Sequence, residues 1–281
     1  MKIYSIAIFT MVILLSAALV IAQPYFVSGA PDKAKAKPKV AIPENAVKVA
    51  PGIYKLAAVF SEGKLVEGFM IIDYKKEFAK PEGTPGKGPG ATKCFAIFAK
   101  GVKWKTVEPW VVNPTNGKGL SDSFVKETLS AGIQKWEDAA DGKVDGVSTK
   151  KDILGSGTIT TDTLVADFVS PDGVNEVYFA DIPRGIAVAV VWGTFNQDPP
   201  FNELIEWDQI YDNVDFDWSS SGQLGKQDFE NVAQHELGHS VGMGHPNDSC
   251  TEETMYRFAS FGETKKRDLH DGDIFGIKKL Y

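Results

Sequence analysis

Short apolar runs alternate with polar turns in the first third of the chain. The runs at residues 53–60 and 65–72 are separated by the polar, glycine-containing stretch 61–64. Two strand-like runs joined by such a stretch predict a β-hairpin. We therefore expect residues 46–79 to form a small β accessory segment.

A longer region with mixed periodicity follows. Apolar runs predict three strands, at residues 176–179, 185–192 and 204–211. Ser121 suits the N-cap of a helix that runs to about Ala140. The mostly apolar side of this helix is expected to consist of Phe124, Thr128, Ala131, Ile133 and Trp136.

Two stretches interrupt the apolar pattern and are typical of linkers. Residues 23–45 interleave lysine with alanine and proline, which indicates a solvated, extended segment. Residues 80–92 are dense in proline and glycine, which indicates a domain boundary. We therefore place the main domain at residues 93–281.

The N-terminus is almost uniformly apolar. One charge at Lys2 precedes an apolar run from Ile3 to Ala22, a pattern that predicts a secretory signal in residues 1–22. A run of about twenty residues is also long enough to cross a bilayer as a helix. The segment is thus either cleaved or kept as an N-terminal membrane anchor, and both outcomes predict an extracellular protein, secreted or held at the outer face of the membrane.

Composition narrows the function classes. The 281 residues are 43% hydrophobic and 24% charged, which is typical of a globular chain with one substantial core. The formal net charge of −7 gives no basic surface for nucleic acid. Nothing in the composition predicts an oligomeric state.

The densest candidate chemistry lies at residues 235–245, which hold three of the four histidines. On a helix, His235 and His239 project from one face, one turn apart, and two neutral imidazoles at this spacing can bind one Zn²⁺. Glu236 stands beside them as a candidate general base. Gly242 can take a positive φ, which would end the helix and bring His245 back as a third ligand. The alternative is three histidines without a metal, but Gly242 and His245 add constraints that a plain helix face does not need.

The full pattern, His-Glu-x-x-His-x-x-Gly-x-x-His, resembles that of the metzincin zinc endopeptidases. Met255 and Tyr256 are similar to the methionine turn of the matrixin branch, and residues 272–281 are similar to its last helix. The middle segments look most like archaeal matrixin-like peptidases. The resemblance implies an α+β catalytic domain with a twisted mixed sheet, a backing helix, an active-site helix and a C-terminal helix.

The same resemblance implies roles for further residues. Met255 would form a floor under a single catalytic Zn²⁺, and Asp273 would brace the methionine turn by hydrogen bonds. Residues 186–192 would be the edge strand over the cleft, to which a protein or peptide substrate could add by backbone hydrogen bonds. A strand buried on both faces fits their continuous apolar run equally well. The strands lack the histidines that hold a second, structural zinc in animal matrixins, so we expect one zinc ion.

The two cysteines also admit two interpretations. Cys250 lies between His245 and the methionine turn, so a bond to Cys94 would tether that loop to the start of the domain if the chain is exported. The alternative is two buried free thiols. Neither cysteine stands in the Pro-Arg-Cys-Gly context by which many matrixins block their zinc, so the sequence gives no support for that form of latency.

An acid-rich stretch offers a second candidate ion. Residues 185–225 contain no lysine or arginine. Carboxylate oxygens suit Ca²⁺, but no ordered ligand spacing is present, so a solvated acidic rim is the favoured interpretation. The acids of this stretch are Asp198, Glu203, Glu206, Asp208, Asp212, Asp215 and Asp217.

The sequence therefore predicts a zinc metalloendopeptidase in which Glu236 takes a proton from the attacking water. The alternative is a non-catalytic, zinc-stabilised surface or peptide-binding module. A structural zinc would need a fourth protein ligand, and Cys250 is the only cysteine or histidine near enough in sequence to be a candidate.

Overall fold

A computed structural model of the chain describes residues 38–61, 63–75, 93–146 and 152–281. The expected signal or anchor at residues 1–22 and the expected linker at 80–92 lie outside the described residues. Among the described helices, none has the length and hydropathy needed to cross a bilayer.

The regular elements are numbered in chain order. The strands are β1 (Val47–Ala50), β2 (Ile53–Lys55), β3 (Val59–Ser61), β4 (Lys64–Lys75), β5 (Ala96–Ile97), β6 (Trp110–Val112), β7 (Gly157–Ile159), β8 (Asn175–Ala180), β9 (Gly185–Thr194), β10 (Glu203–Asp212), β11 (Trp218–Ser219), β12 (Gln227–Asp228), β13 (Met243–Gly244) and β14 (Phe258–Ala259). The helices are α1 (Asp122–Ala139), α2 (Phe229–Ser240) and α3 (Asp271–Leu280), and Lys265–Arg267 forms a single 3₁₀ turn.

Within the described residues, ten strands form one mixed sheet. Its order is β1-β2-β4-β9-β10-β8-β6-β7, and β3 and β14 pair with β4 outside that path. β6, β7, β8 and β10 run parallel, while β9 is antiparallel to both of its neighbours. This mixed sheet with three helices confirms the predicted α+β class.

Both faces of the sheet are buried. One face packs against α1 and α2 through a cluster that includes Trp136, Phe229 and Leu237. The opposite face is covered by a second cluster that includes Met70 and Trp192. Since β9 contributes to both clusters, its continuous apolar run has a direct packing reason.

Helix α1 begins where the sequence predicts. The hydroxyl of Ser121 accepts a hydrogen bond from the backbone N–H of Phe124, at 3.2 Å, and so caps the first turn. The expected apolar side is wrong in part, because Ala131 is exposed and Thr128 is only partly buried. The face that packs on the core is rotated by a fraction of a turn and consists of Val125, Leu129, Gly132, Ile133 and Trp136.

The expectation that residues 186–192 form a sheet edge is wrong for the chain as described. β4 pairs antiparallel with β9 from Glu67, opposite Gly193, to Tyr74, opposite Gly185. The predicted hairpin is present, since Ser61 of β3 lies opposite Lys64 of β4. Its second strand, however, continues into the main sheet, so the β segment is built into the domain that it was expected to precede.

The structure also tests the predictions for the two cysteines and for the acid-rich stretch. Cys94 and Cys250 form a disulfide with a Cα–Cα distance of 5.5 Å, which ties the start of the main domain to the loop after His245. The interpretation of the acid-rich stretch as a solvated rim is wrong for its middle, because Glu206, Asp208 and Asp212 are buried. Asp208 and Asp212 accept hydrogen bonds from loop N–H groups, which explains their burial.

Candidate metal centre

Helix α2 and the turn after it bring the three clustered histidines together. Asp228 caps the helix by accepting a hydrogen bond from the N–H of Asn231, at 3.1 Å. His235 and His239 follow one turn apart on the same helix. Gly242 then adopts a φ of 99°, a conformation that favours glycine, and the chain reverses. β13 pairs with β5 directly after this reversal, and His245 follows it.

The ring nitrogens converge on one point. Nε2 of His245 lies 3.1 Å from Nε2 of His235 and 3.1 Å from Nε2 of His239. Ligand atoms that bind one tetrahedral zinc at about 2.0–2.1 Å lie about 3.3 Å from each other. His245 is therefore at the separation from each helix histidine that a shared zinc ion requires, and all the ligand atoms lie within 4.8 Å of one another.

The rings of the two helix histidines are oriented through their other nitrogen. Nδ1 of His235 lies 2.6 Å from the carbonyl oxygen of Thr254, and Nδ1 of His239 lies 2.9 Å from that of Met243. A carbonyl oxygen can only accept, so both Nδ1 atoms carry the proton and both Nε2 atoms present a lone pair. This arrangement of a second layer around a metal fixes the tautomer of its ligands.

Burial also keeps the imidazoles of His235 and His245 neutral. Loss of solvent lowers the pKa of His235 to about 3 and lowers the pKa of His245, against the opposing pull of Asp73. A metal ligand must be the neutral imidazole, so the site favours the form of histidine that binds zinc.

The structure adds a fourth residue, Asp73 of β4, that the sequence did not single out. Its Oδ2 lies 3.2 Å from Nε2 of His235 and 3.8 Å from Nε2 of His239. Its Oδ1 lies 3.2 Å from Nε2 of His245. The only sequence signal was one carboxylate at the end of a buried strand, and nothing in the spacing linked it to residues more than 160 positions away.

The four side chains together fit a divalent cation. Asp73 is 6% exposed, and neither of its oxygens accepts a hydrogen bond. Buried lone pairs that point at one another are costly unless a cation lies between them. Three neutral imidazoles and one carboxylate are a donor set that suits zinc.

Glu236 lies at the same centre, next to the carboxyl group of Asp73. It is fully buried, and both of its oxygens lack a hydrogen-bond partner. Burial and, next, the nearby Asp73 raise the pKa of Glu236 well above its ordinary value. The buried ammonium of Lys266 opposes this shift, and burial lowers the pKa of that ammonium to about 8. Lys266 is a second residue that the sequence did not single out.

The methionine turn lies beneath the histidines. Met255 is fully buried, and Gly238 of α2 faces it so closely that a Cβ at Gly238 would lie 2.1 Å from Sδ of Met255. The glycine inside the helix therefore has a packing reason. Asp273 of α3 accepts hydrogen bonds from the N–H groups of Thr254, at 2.7 Å, and Met255, at 3.1 Å. These contacts hold the turn in the way that the resemblance implies.

Tyr256 is 7% exposed, and its backbone carbonyl accepts a hydrogen bond from the ammonium of Lys266. The fourth histidine of the chain, His270, lies away from the centre. It occupies the N-cap position of α3, and its Nε2 lies 3.0 Å from the carbonyl oxygen of Lys265.

Known proteins share the part of the chain that carries these residues. Residues 190–281 match the family described as matrixin, peptidase M10. The metalloendoproteinase 2-MMP of Arabidopsis thaliana is 26% identical over 209 residues, which is 68% of this chain and 46% of that protein. Human matrilysin is 35% identical over 111 residues, which is 36% of this chain and 40% of that protein.

A third relative, the metalloendoproteinase 1-MMP of Arabidopsis thaliana, is 33% identical over 120 residues, which is 42% of this chain and 32% of that protein. The chain thus spans less than half the length of each of these relatives. The matrixin match begins inside β9 and runs through α2, the methionine turn and α3, so the part of the chain that carries the three histidines is similar to the matrixin branch of the metzincins.

Proposed function

We propose that the chain is a zinc-dependent metalloendopeptidase that hydrolyses peptide bonds in proteins or peptides. The observation that carries the proposal is a buried carboxylate without a protein partner, Glu236, beside three converging imidazoles. His235, His239 and His245 are the proposed metal ligands.

The residues around the centre have distinct tasks in this reaction. Zinc, when bound, supplies a Lewis acid that polarises the scissile carbonyl and acidifies a water molecule. Glu236 holds that water, accepts its proton and later donates the proton to the leaving amine.

Two strands offer the backbone groups that could hold a substrate. β9 would be the outer strand on one side of the centre if β4 were absent, and β14 follows the methionine turn on the other. An extended peptide between two such strands is bound mainly through main-chain hydrogen bonds, which require little of its sequence.

The competing function is a zinc-stabilised surface or peptide-binding module without catalysis. Asp73 favours it, because a fourth protein ligand closes a zinc site and closed sites are structural. Glu236 argues against it. A buried carboxylate without a hydrogen bond is costly for the folded state, and a binding module gains nothing from it.

We also propose an extracellular location. The disulfide between Cys94 and Cys250 supports it, because such bonds persist in oxidising compartments. The apolar pattern of residues 1–22 supports export as well, whether the segment is cleaved or kept as an anchor.

A digestion experiment tests the proposed activity. The full chain would carry a recognition site for a sequence-specific protease inserted within residues 80–92, and the cut protein would be incubated with a peptide library. We expect cleavage that a zinc chelator abolishes and added zinc restores, read by mass spectrometry. Intact peptides in every condition would contradict the proposal, and cleavage that persists without zinc would contradict its mechanism.

A further inference from the structure

β4 lies between the two strands that flank the metal centre. It runs antiparallel to β9 over eight paired positions and parallel to β14 over two. Tyr74 lies opposite Gly185 on one side and Phe258 on the other, and Lys75 lies opposite Ala259. This segment therefore uses the backbone groups that an extended substrate would need.

The same strand delivers a ligand to the metal. Asp73 directly precedes Tyr74, which is paired on both sides, and its two oxygens lie 3.2 Å from Nε2 of His235 and of His245. The side chain thus occupies the place that a solvent molecule must take beside Glu236 for hydrolysis. One strand accounts for both the filled groove and the filled fourth position.

We propose that residues 46–75 are a built-in inhibitor, in which β4 fills the substrate groove and Asp73 is the fourth ligand of the zinc. This inference rests on the proposed function, because it describes how that same site is kept inactive. No cysteine is available for the task, since Cys94 and Cys250 are bonded to each other.

The covalent connection between β4 and the main domain strengthens the inhibition, and a cut in that connection makes the inhibition reversible. A ligand tethered to its site by a short connection acts at an effective concentration on the order of millimolar. Residues 80–92, which connect the inhibitory strand to the main domain, are rich in proline and glycine and follow Asp73 in the chain. A cut there removes the tether, after which release of β4 would expose β9 and free the fourth position.

Cobalt substitution tests the ligand without relying on activity. A solvent molecule on a metal of this kind ionises near pH 7, whereas a carboxylate ligand does not titrate there. We therefore expect the visible absorption of the Co²⁺-loaded full chain to stay constant between about pH 6 and about pH 8.5. Asp73→Ala should make it pH-dependent. Glu67→Ala, which removes another carboxylate of β4, should leave it constant.

Peptide hydrolysis tests the consequence. The uncut full chain should cleave a fluorogenic peptide at least about 100-fold more slowly than the chain cut within residues 80–92. This factor is the lower end of the rate enhancement that a positioned general base contributes. A pH-dependent absorption in the uncut wild-type chain, unchanged in Asp73→Ala, would overturn the inference. Equal hydrolysis by cut and uncut chains would overturn it too. Absence of hydrolysis in all forms would instead refute the proposed function and leave the cobalt result standing.

Discussion

Replacing Glu236 by glutamine is expected to slow peptide hydrolysis by about 10²–10⁴-fold in the cut chain, while zinc stays bound. Glutamine has nearly the same shape, but its amide cannot accept the proton of the attacking water. None of the three proposed ligand nitrogens depends on Glu236, so the metal should remain. The measurement is the turnover number of a fluorogenic peptide, together with the zinc content of the dialysed protein.

Glu230→Gln is a matched control on the same helix. Glu230 is partly exposed and forms ion pairs with Lys135 and Arg267, away from the metal centre. This variant should keep both zinc and turnover. An unimpaired Glu236→Gln enzyme would show that another group takes the proton, and loss of zinc from it would show that Glu236 supports the metal instead.

Replacing His239 by alanine is expected to remove both zinc and activity. His239 would supply one of three imidazole ligands, and its ring is fully buried, so no solvent-exposed group can take its place. The loss of zinc affinity should exceed the roughly 10–100-fold that follows loss of a second-layer partner. Competition with a chromogenic chelator, carried out on the uncut chain for both proteins, measures this affinity directly.

His270→Asn is the control for this variant. His270 is the one histidine outside the cluster, and asparagine is a good residue for the helix N-cap position that it occupies. Its variant should bind zinc as tightly as the natural protein does. Full metal occupancy in a folded His239→Ala protein, with its circular dichroism unchanged, would rule out the assignment of this ligand.

The local parts of the site could be predicted from the sequence because they depend on short spacings. The spacing of four positions from His235 to His239 places two rings on one helix face, whatever the rest of the chain does. The turn at Gly242 needs only a residue that tolerates a positive φ, and the structure has φ 99° there. The start of α1 at Ser121 followed from local capping chemistry in the same way.

Burial was predicted less well, because it depends on partners that the sequence does not name. Glu206 and Asp208 stand in an acid-rich stretch that indicates a solvated rim, yet both are buried. Asp208 is satisfied by loop N–H groups, and Glu206 faces two other acids from a distant loop. Only the packing of that loop on β10 decides which carboxylates leave the solvent.

The sequence by itself determined the kind of chemistry, because three histidines, a glutamate and a glycine at fixed local spacing define a zinc centre on one helix and its turn. The tertiary structure alone decided what faces that centre. β4 pairs with β9 through backbone hydrogen bonds, which any extended strand could make. Local sequence spacing therefore does not specify the register or the partner of β4. That pairing places Asp73 at the histidines, so that four side chains rather than three converge on the centre.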